Sequence, residues 1–131
     1  MVKILIDSSA WIHFFRGSPP AFTEVVKRLI WDDIAATCGP VLTEVVRGAR
    51  DKKEEKTLRN KLLPLICYSL QEEDFWEAAS LGVSLGRKGY TVNTLDLLIA
   101  HVCLRERIPI LHDDSDFEFI ARHASLKTLR L

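Results

Sequence analysis

The chain has 131 residues, in which 18 lysine and arginine residues balance 18 aspartate and glutamate residues, and 47% of the residues are hydrophobic. These values predict one globular domain over 1–131, large enough to fold without disulfides or a structural metal. A net charge of zero excludes a uniformly basic nucleic-acid-binding coat and an acidic disordered tail, although charge can still be separated within the fold.

The cysteines Cys38, Cys67 and Cys103 are widely spaced and form no C-x-x-C pair. This predicts a reduced cytoplasmic protein in which the three thiols are buried as small apolar groups. The apolar run at 4–6 is far shorter than that of a signal peptide. The longest segments free of charge have ten residues, whereas a membrane-spanning helix needs about 20. We therefore expect no membrane segment.

Strand-like and helix-like segments alternate along the chain. The first half is predicted to contain a strand at Val2–Ile6, a helix at about Ser8–Arg16, a helix across Phe22–Ile30, a strand at Ile34–Thr37 and a helix from Gly39-Pro40 to Ala49. The second half is predicted to contain a surface helix at Asp51–Lys61, an edge strand at Ile66–Ser69, a helix at Glu72–Arg87, a buried helix from Asn93 through Leu104, a strand at Pro109–Leu111, a short helix and a strand near Leu126–Leu129. This alternation predicts a parallel sheet with helices on both faces, a three-layer α/β/α fold.

Two helices carry more detailed predictions. The helix at Glu72–Arg87 is predicted to have an apolar side formed by Phe75, Ala79, Gly82 and Leu85. In the last helix, Ser115 and Glu118 have the spacing of a capping box. We interpret this box as explaining part of the last acidic group without any chemistry.

Four carboxylates fall where such a sheet collects its ligands, beyond the carboxyl ends of the strands. Asp7 ends the first strand, and Asp114 lies just beyond the strand at 109–111. Asp96 lies in the first turn of the buried helix, and Glu44 in the second turn of the third helix. These residues are 37, 52 and 18 positions apart in the sequence. We expect them to meet at one edge of the sheet.

Each of these acids also has a purely structural explanation. Asp7 is placed to cap its helix, Asp96 to form a capping box with Asn93, and Glu44 to pair with Arg47 one helical turn away. Together, however, caps and pairs do not explain why acids stand at several positions of the same edge on such apolar elements.

The physics of a carboxylate cluster favours a metal site. Two carboxylates about 4 Å apart repel each other by roughly 4 kcal/mol at an effective dielectric constant near 20, so such a cluster needs protons or cations. Oxygen ligands suit Mg²⁺ or Mn²⁺, whereas zinc prefers cysteine and histidine. Such an ion activates water for attack on a phosphodiester. Ser9 and Thr94 are near enough in sequence to orient a carboxylate or a bound water.

The four sequence segments that contain these acids can be interpreted together. They are Ile6-Asp7-Ser8-Ser9-Ala10-Trp11-Ile12, Pro40-Val41-Leu42-Thr43-Glu44-Val45-Val46-Arg47-Gly48, Asp96-Leu97-Leu98-Ile99-Ala100, and Ile110-Leu111-His112-Asp113-Asp114-Ser115-Asp116-Phe117. Together they resemble the PIN-domain family and, within it, the VapC ribonuclease toxins of toxin–antitoxin pairs. The resemblance extends over essentially the whole chain, and the order and spacing of the four segments make it specific.

This resemblance implies a set of site residues. Asp7, Glu44 and Asp96 are the implied core metal ligands, with Asp114 as the favoured fourth acid and Asp116 as the second candidate. Ser9 matches a small hydroxyl residue near the first aspartate. At the position before the final acidic pair, where many relatives have threonine, this chain has His112, so no hydroxyl group is expected there.

The resemblance also implies a five-stranded parallel sheet, a homodimer, and an antitoxin whose C-terminal segment blocks the acidic groove. On the substrate side, 46–61 contains seven basic residues and three acidic ones. We interpret Arg47, one helical turn from Glu44, as a contact for RNA phosphates, which would make binding dependent on salt. For the lysines, a solvated helix face with Glu/Lys pairs is an equally good explanation.

The remaining histidines and the tryptophans carry no clear functional pattern. His13, His101 and His123 lack the spacing of metal ligands, so we interpret them as packing or surface residues. The tryptophans have helical spacing within their segments and are interpreted as core or dimer-interface residues; they are Trp11, Trp31 and Trp76.

The sequence thus predicts a Mg²⁺- or Mn²⁺-dependent endoribonuclease that is the toxin of a toxin–antitoxin pair. Two alternatives stay open: a housekeeping PIN-domain nuclease in RNA processing or decay, and a non-catalytic partner-binding module. A response-regulator receiver also clusters acids at strand ends, but it requires a pair of acids after the first strand. Asp7 has no acidic neighbour.

Overall fold

A computed structural model describes residues 2–131. In chain order its elements are β1 (Ile4–Ile6), α1 (Ser8–Arg16), α2 (Pro20–Trp31), β2 (Ala35–Cys38), α3 (Gly39–Val46), α4 (Lys52–Leu62), β3 (Ile66–Tyr68), α5 (Glu72–Gly86), α6 (Thr94–Glu106), β4 (Ile110–Leu111), α7 (Ser115–His123) and β5 (Thr128–Leu129). These are the predicted elements in the predicted order, although several strands are shorter than predicted.

All five strands are parallel and lie in the order β3-β2-β1-β4-β5. From β1 the chain continues to β2 and then to β3 on one side of β1. The next strands, β4 and β5, lie on the opposite side of β1. Right-handed crossovers therefore place α1 to α4 on one face and α5 to α7 on the other, which confirms the three-layer α/β fold. Successive strands are therefore added in opposite directions on the two sides of the boundary between β1 and β4, which we call the reversal point of the sheet. In open α/β sheets, ligands bind at such a point.

The core is centred on the same two strands. Leu5 lies opposite Ile110 and Ile6 opposite Leu111, and these four side chains are fully buried. The largest fully buried side chain is Trp11, which lies on α1. Burial of this apolar surface on both faces of the sheet holds β1 and β4 rigidly side by side.

A buried carboxylate fixes α5 to α6. Asp74 accepts hydrogen bonds from the Gln71 backbone N–H at 2.7 Å, from His101 Nε2 at 2.8 Å and from Arg105 Nη1 at 2.7 Å. Because these donors favour the charged form, the pKa of Asp74 falls to about 2. His101, interpreted above as a packing or surface residue, is buried and also bonds to this carboxylate. The contact positions α6, which carries Asp96.

The apolar side of α5 is only partly as predicted. Leu85 is buried and Gly82 is partly buried, but Phe75 and Ala79 are exposed, and Asp74 and Ala78 are buried instead. Asp74 has to face α6 to reach His101 and Arg105, and residues 100° further around the helix then turn toward solvent. A polar contact has here decided the orientation of a helix that its apolar pattern would rotate differently.

One further prediction is corrected. Cys38 and Cys103 are buried as predicted, but Cys67 is exposed, because it lies on β3, an edge strand of the sheet. Of the tryptophans, Trp11 is a core residue, while Trp31 and Trp76 are 87% and 65% exposed, which leaves the dimer-interface interpretation for these two. None of the helices within residues 2–131 is long and apolar enough to cross a membrane.

Candidate active site

Asp7 lies at the reversal point of the sheet. It directly follows β1, and its backbone N–H donates to the Leu111 carbonyl oxygen at the end of β4 at 2.9 Å. Its side chain caps α1, since Oδ2 accepts from the backbone N–H of Ser9 at 3.0 Å and from Ser9 Oγ at 2.6 Å. The other oxygen, Oδ1, is buried and has no hydrogen-bond partner within residues 2–131. The cap thus accounts for only one of the two carboxylate oxygens.

Glu44 comes from α3, which follows the neighbouring strand β2. Ser8 Oγ donates to Glu44 Oε1 at 3.1 Å, so the first residue of α1 orients this acid. In the described part of the chain Glu44 forms no ion pair with Arg47, the structural alternative considered above. Arg47 is exposed at the C-terminal end of α3. The pKa of Glu44 is raised, mainly by burial and further by the charges of Asp7 and Asp114.

Asp96 lies in the first turn of α6 and is 5% exposed. Asn93 is the N-cap: its Oδ1 accepts from the Asp96 backbone N–H at 2.9 Å, and its Nδ2 donates to Asp96 Oδ2 at 2.9 Å. The capping box considered from the sequence is half formed: Asn93 caps the Asp96 backbone N–H, but the Asp96 carboxylate accepts from the Asn93 side chain and not from its backbone. Thr94, the predicted orienting hydroxyl, is exposed and donates no hydrogen bond to any described residue. The side chain that orients Asp96 is therefore Asn93.

Asp114 belongs to the loop between β4 and α7. Its Oδ1 accepts from the Asp116 backbone N–H at 2.8 Å, so Asp114 is the N-cap of α7. The predicted capping box of Ser115 and Glu118 is wrong, because the extended Asp114 takes the cap position and Ser115 becomes the first helical residue. Like Asp7, Asp114 combines a capping role with a position in the acidic cluster.

His112 holds this loop in place through a hydrogen bond to its backbone. It is fully buried, and its Nδ1 accepts from the Asp114 backbone N–H at 3.1 Å. The proton is therefore on Nε2, which donates to Glu118 Oε1 at 2.8 Å. A hydroxyl near the acids is supplied instead by Ser9, whose Oγ accepts from the Asp113 backbone N–H at 2.9 Å. Ser9 thus ties the loop after β1 to the loop after β4.

The structure brings all five predicted acids together in two overlapping groups. One group is Asp7, Glu44 and Asp96, and the other is Asp96, Asp114 and Asp116. Within each group, one carboxylate oxygen from each residue lies within 4.8 Å of the others. Asp96 belongs to both groups. We call these the first and the second triad.

The cluster is electrostatically strained when no cation balances it. Burial, followed by the proximity of Asp116, Asp114 and Asp7, raises the pKa of Asp96 to about 8. Burial also raises the pKa of Asp7, despite the hydrogen bonds from Ser9. All the potential ligand atoms of the cluster are carboxylate oxygens, and Asp7 Oδ1 has no hydrogen-bond partner within residues 2–131. Both features suit a hard divalent cation. A bound ion would replace the protons that these acids otherwise hold.

Several residues at the site were missed from the sequence. Ser8, which orients Glu44, is the first residue of α1, a helix-terminal position that could have identified it. Tyr90, in the loop between α5 and α6, donates a hydrogen bond to Asp116. His13 on α1 contacts Asp113 at 2.8 Å. No local sequence pattern marks these last two contacts, because each joins segments that are distant in the chain.

Three of the seven basic residues at 46–61 are paired with acids of the same segment. Ion pairs join Arg50 to Glu54 at 2.8 Å, Lys52 to Glu55 at 3.8 Å and Arg59 to Glu55 at 3.3 Å. For Lys52 and Arg59 the solvated helix face is therefore the better description. Arg47 makes no such pair within residues 2–131 and stands one turn beyond Glu44.

Comparison with known proteins agrees with this geometry. Residues 4–123 match the PIN domain. This chain belongs to the PIN-domain family. It is 35% identical over 128 residues to Ribonuclease VapC11 of Mycobacterium tuberculosis, a match that covers 95% of this chain and 96% of that protein. It is 30% identical over 122 residues to Ribonuclease VapC21 of the same species, covering 91% and 86% respectively.

The fold of this PIN domain is also found in solved structures. VapBC2 from Rickettsia felis, crystallised with a DNA fragment from its promoter, superimposes with a TM-score of 0.79 at 18% identity, covering 99% of this chain and 98% of that chain. At this identity the match demonstrates a shared fold. The acidic edge of the sheet is thus the carboxyl edge of a PIN-domain sheet.

The raised pKa of Asp96 predicts how the metal-free PIN domain responds to pH. Between the ordinary value of 3.8 and about 8, the folded protein holds a proton on Asp96 that the unfolded chain has lost. Stability in EDTA should therefore fall as pH rises through this range. Asp96→Asn cannot ionise, so at about pH 8.5 its melting temperature should exceed that of the wild type by roughly 4 °C, equivalent to about 1 kcal/mol.

Asp113→Asn is the matched control in these thermal unfolding measurements. Hydrogen bonds from His13 and Arg130 lower the pKa of Asp113, so loss of its charge should destabilise the protein. If Asp96→Asn also lowered the melting temperature at alkaline pH, the interpretation of Asp96 as an electrostatically strained acid would be wrong.

Proposed function

We propose that this PIN-domain protein is the toxin endoribonuclease of a VapBC-type toxin–antitoxin pair, and that it hydrolyses RNA phosphodiester bonds with metal-activated water. The observation that carries the proposal is the convergence of five carboxylates from four segments of the chain at the reversal point of the sheet. Sequence identities of 35% and 30% to two VapC ribonucleases, in alignments that cover nearly the whole chain, support the choice of RNA as substrate.

Mg²⁺ or Mn²⁺ is the cofactor that we propose. The first triad, Asp7, Glu44 and Asp96, is the primary ligand set, and Asp114 and Asp116 complete the second triad around the shared Asp96. When bound, such an ion lowers the pKa of a water molecule and neutralises charge on the phosphate. One ion in the first triad or two ions across both triads would satisfy these oxygen ligands.

The residues around the acids hold them in place for this chemistry. Ser9 holds one oxygen of Asp7 and leaves Oδ1 free, Ser8 directs Glu44, and Asn93 directs Asp96. Because these contacts exist before any ligand arrives, the acids need little rearrangement on binding, which is the preorganisation that efficient catalysis requires. Burial of Asp7 and Asp96 also restricts the access of bulk water to the cluster.

RNA has to approach a site of the same charge as its own backbone. The acids repel a phosphate until a cation is bound, so cation and substrate binding are coupled. We propose that Arg47 assists by contacting a phosphate beside the cluster, since it is exposed, stands one turn from Glu44, and makes no ion pair within residues 2–131.

We further propose that the protein forms a homodimer and is inhibited by a cognate antitoxin. Similarity to VapC ribonucleases supports this proposal, as does the fold shared with a VapBC structure. The exposed surface includes large apolar side chains suited to protein contacts, notably Trp31, Leu63 and Trp76 at 87%, 75% and 65% exposure.

Cleavage of RNA by the purified protein tests the catalytic proposal. Activity with Mg²⁺ or Mn²⁺ should disappear in EDTA and return when the ion is added back. Asp7→Asn and Asp96→Asn should each lower the cleavage rate by more than the roughly 100-fold typical of losing an outer-shell partner, because each removes a metal ligand. Asp32→Asn, on the surface at the end of α2, should cleave normally. Activity that persists in EDTA would contradict the metal mechanism.

Salt dependence of RNA binding tests Arg47. In the Asp96→Asn background, which prevents cleavage, Arg47→Ala should weaken binding and reduce the slope of log affinity against log salt concentration by about 0.7 for a single-stranded RNA. Arg50→Ala should leave the slope unchanged, because Arg50 pairs with Glu54. Equal slopes for Arg47→Ala and the parent protein would show that Arg47 does not contact a phosphate.

Expression in a bacterial host tests the toxin proposal. The wild-type protein should stop growth, Asp7→Asn should not, and co-expression of a small open reading frame adjacent to the gene should restore growth. Normal growth with a protein that cleaves RNA in vitro would instead favour the housekeeping nuclease.

A further inference from the structure

Tyr90 connects the loop between α5 and α6 to α7 through two contacts. Its hydroxyl donates a hydrogen bond to Asp116 Oδ1. Its ring stacks on Phe119, with ring centroids 4.2 Å apart and planes inclined by 27°. Asp116 and Phe119 are three residues apart and therefore neighbours on one face of the helix. The stacking fixes the orientation of the ring, and the ring in turn aims the hydroxyl at the carboxylate.

Asp116 needs such a partner because of its neighbours. It shares the second triad with Asp96 and Asp114, and like charges at this distance drive an acid toward solvent. Asp116 is partly exposed on the first turn of α7, so rotation of its side chain would remove it from the triad. Within residues 2–131, the tyrosine hydroxyl that opposes this rotation is that of Tyr90.

The chemistry of the donor suits a cation site. A lysine or arginine in this position would also hold Asp116, but its positive charge would repel a divalent cation. A phenol donates a hydrogen bond to one carboxylate oxygen and leaves the charge of the acid intact. The other oxygen remains available to face Asp96 and Asp114.

We propose that Tyr90 is a positioning residue that holds Asp116 in the second triad and thereby raises its affinity for a divalent cation. This inference rests on the proposed metal dependence and deepens it, since it assigns a function to a loop residue outside the four acidic segments. It also gives Asp116 a defined function beside Asp114. A tyrosine that merely fastened the loop would stabilise the fold without affecting cation binding through Asp116.

Titration of the RNA-free protein with Mn²⁺, followed by the electron paramagnetic resonance signal of the free ion, tests this proposal. The proteins are the wild type, Tyr90→Phe, Asp116→Asn and the double variant. Tyr90→Phe keeps the ring on Phe119 and removes only the hydroxyl, so it should weaken Mn²⁺ binding roughly tenfold. The double variant should bind no more weakly than Asp116→Asn alone, because Tyr90 acts through Asp116. Tyr68→Phe, on β3, should bind as the wild type does.

The outcomes separate this inference from the proposed function. Normal Mn²⁺ affinity in Tyr90→Phe would overturn the function of Tyr90 and leave the metal site in place. Additive losses in the double variant would also overturn it, because Tyr90 would then act independently of Asp116. Absence of Mn²⁺ binding by the wild type would overturn both the metal site and the inference.

Discussion

Mutual repulsion among five carboxylates is the constraint on which the rest of this structure depends. Asp7, Glu44, Asp96, Asp114 and Asp116 lie in two triads that share one member, and their proximity and burial raise the pKa of Asp96 to about 8. Without a ligand such a cluster destabilises the folded chain, so the surrounding elements have to hold it together. The same repulsion would favour the binding of a cation at this edge of the sheet. Stability and function are therefore in opposition at this edge.

The fold resists this repulsion with hydrogen bonds from helix N-termini and loops. Asp7 and Asp114 are N-caps, and Asp96 is itself held by the N-cap Asn93. A helix N-terminus stabilises negative charge through its free N–H groups and its dipole, so three helices starting at one edge lower the cost of placing acids there. Farther away, the bond network of Asp74 fixes α6 against α5, and the buried strands β1 and β4 fix the two loops to each other. Capping is thus compatible with the proposed metal binding, because in Asp7 it engages one carboxylate oxygen and leaves the other without a partner within residues 2–131.

The net charge of zero conceals an uneven distribution of acidic and basic residues in the fold. Acids from distant segments meet at one edge, while basic residues concentrate at 46–61. The structure refines this picture, because ion pairs with Glu54 and Glu55 engage Arg50, Lys52 and Arg59. Arg47 makes no ion pair within residues 2–131 and is one helical turn from Glu44.

The sequence by itself determined the order of the elements, the α/β class and the identity of the acids, because apolar periodicity, caps and the residues at strand ends are local properties. Its four acidic segments also indicated membership of the PIN-domain family, which the family match confirmed. Only the tertiary structure decided which side of α5 is buried, that Cys67 and two tryptophans are exposed, and that Asp114 rather than Ser115 caps α7. It alone decided between Asn93 and Thr94 as the side chain that orients Asp96, and it alone revealed Tyr90 as the partner of Asp116. These features depend on contacts between segments far apart in the chain, such as Asp74 with Arg105, whose geometry no local pattern encodes.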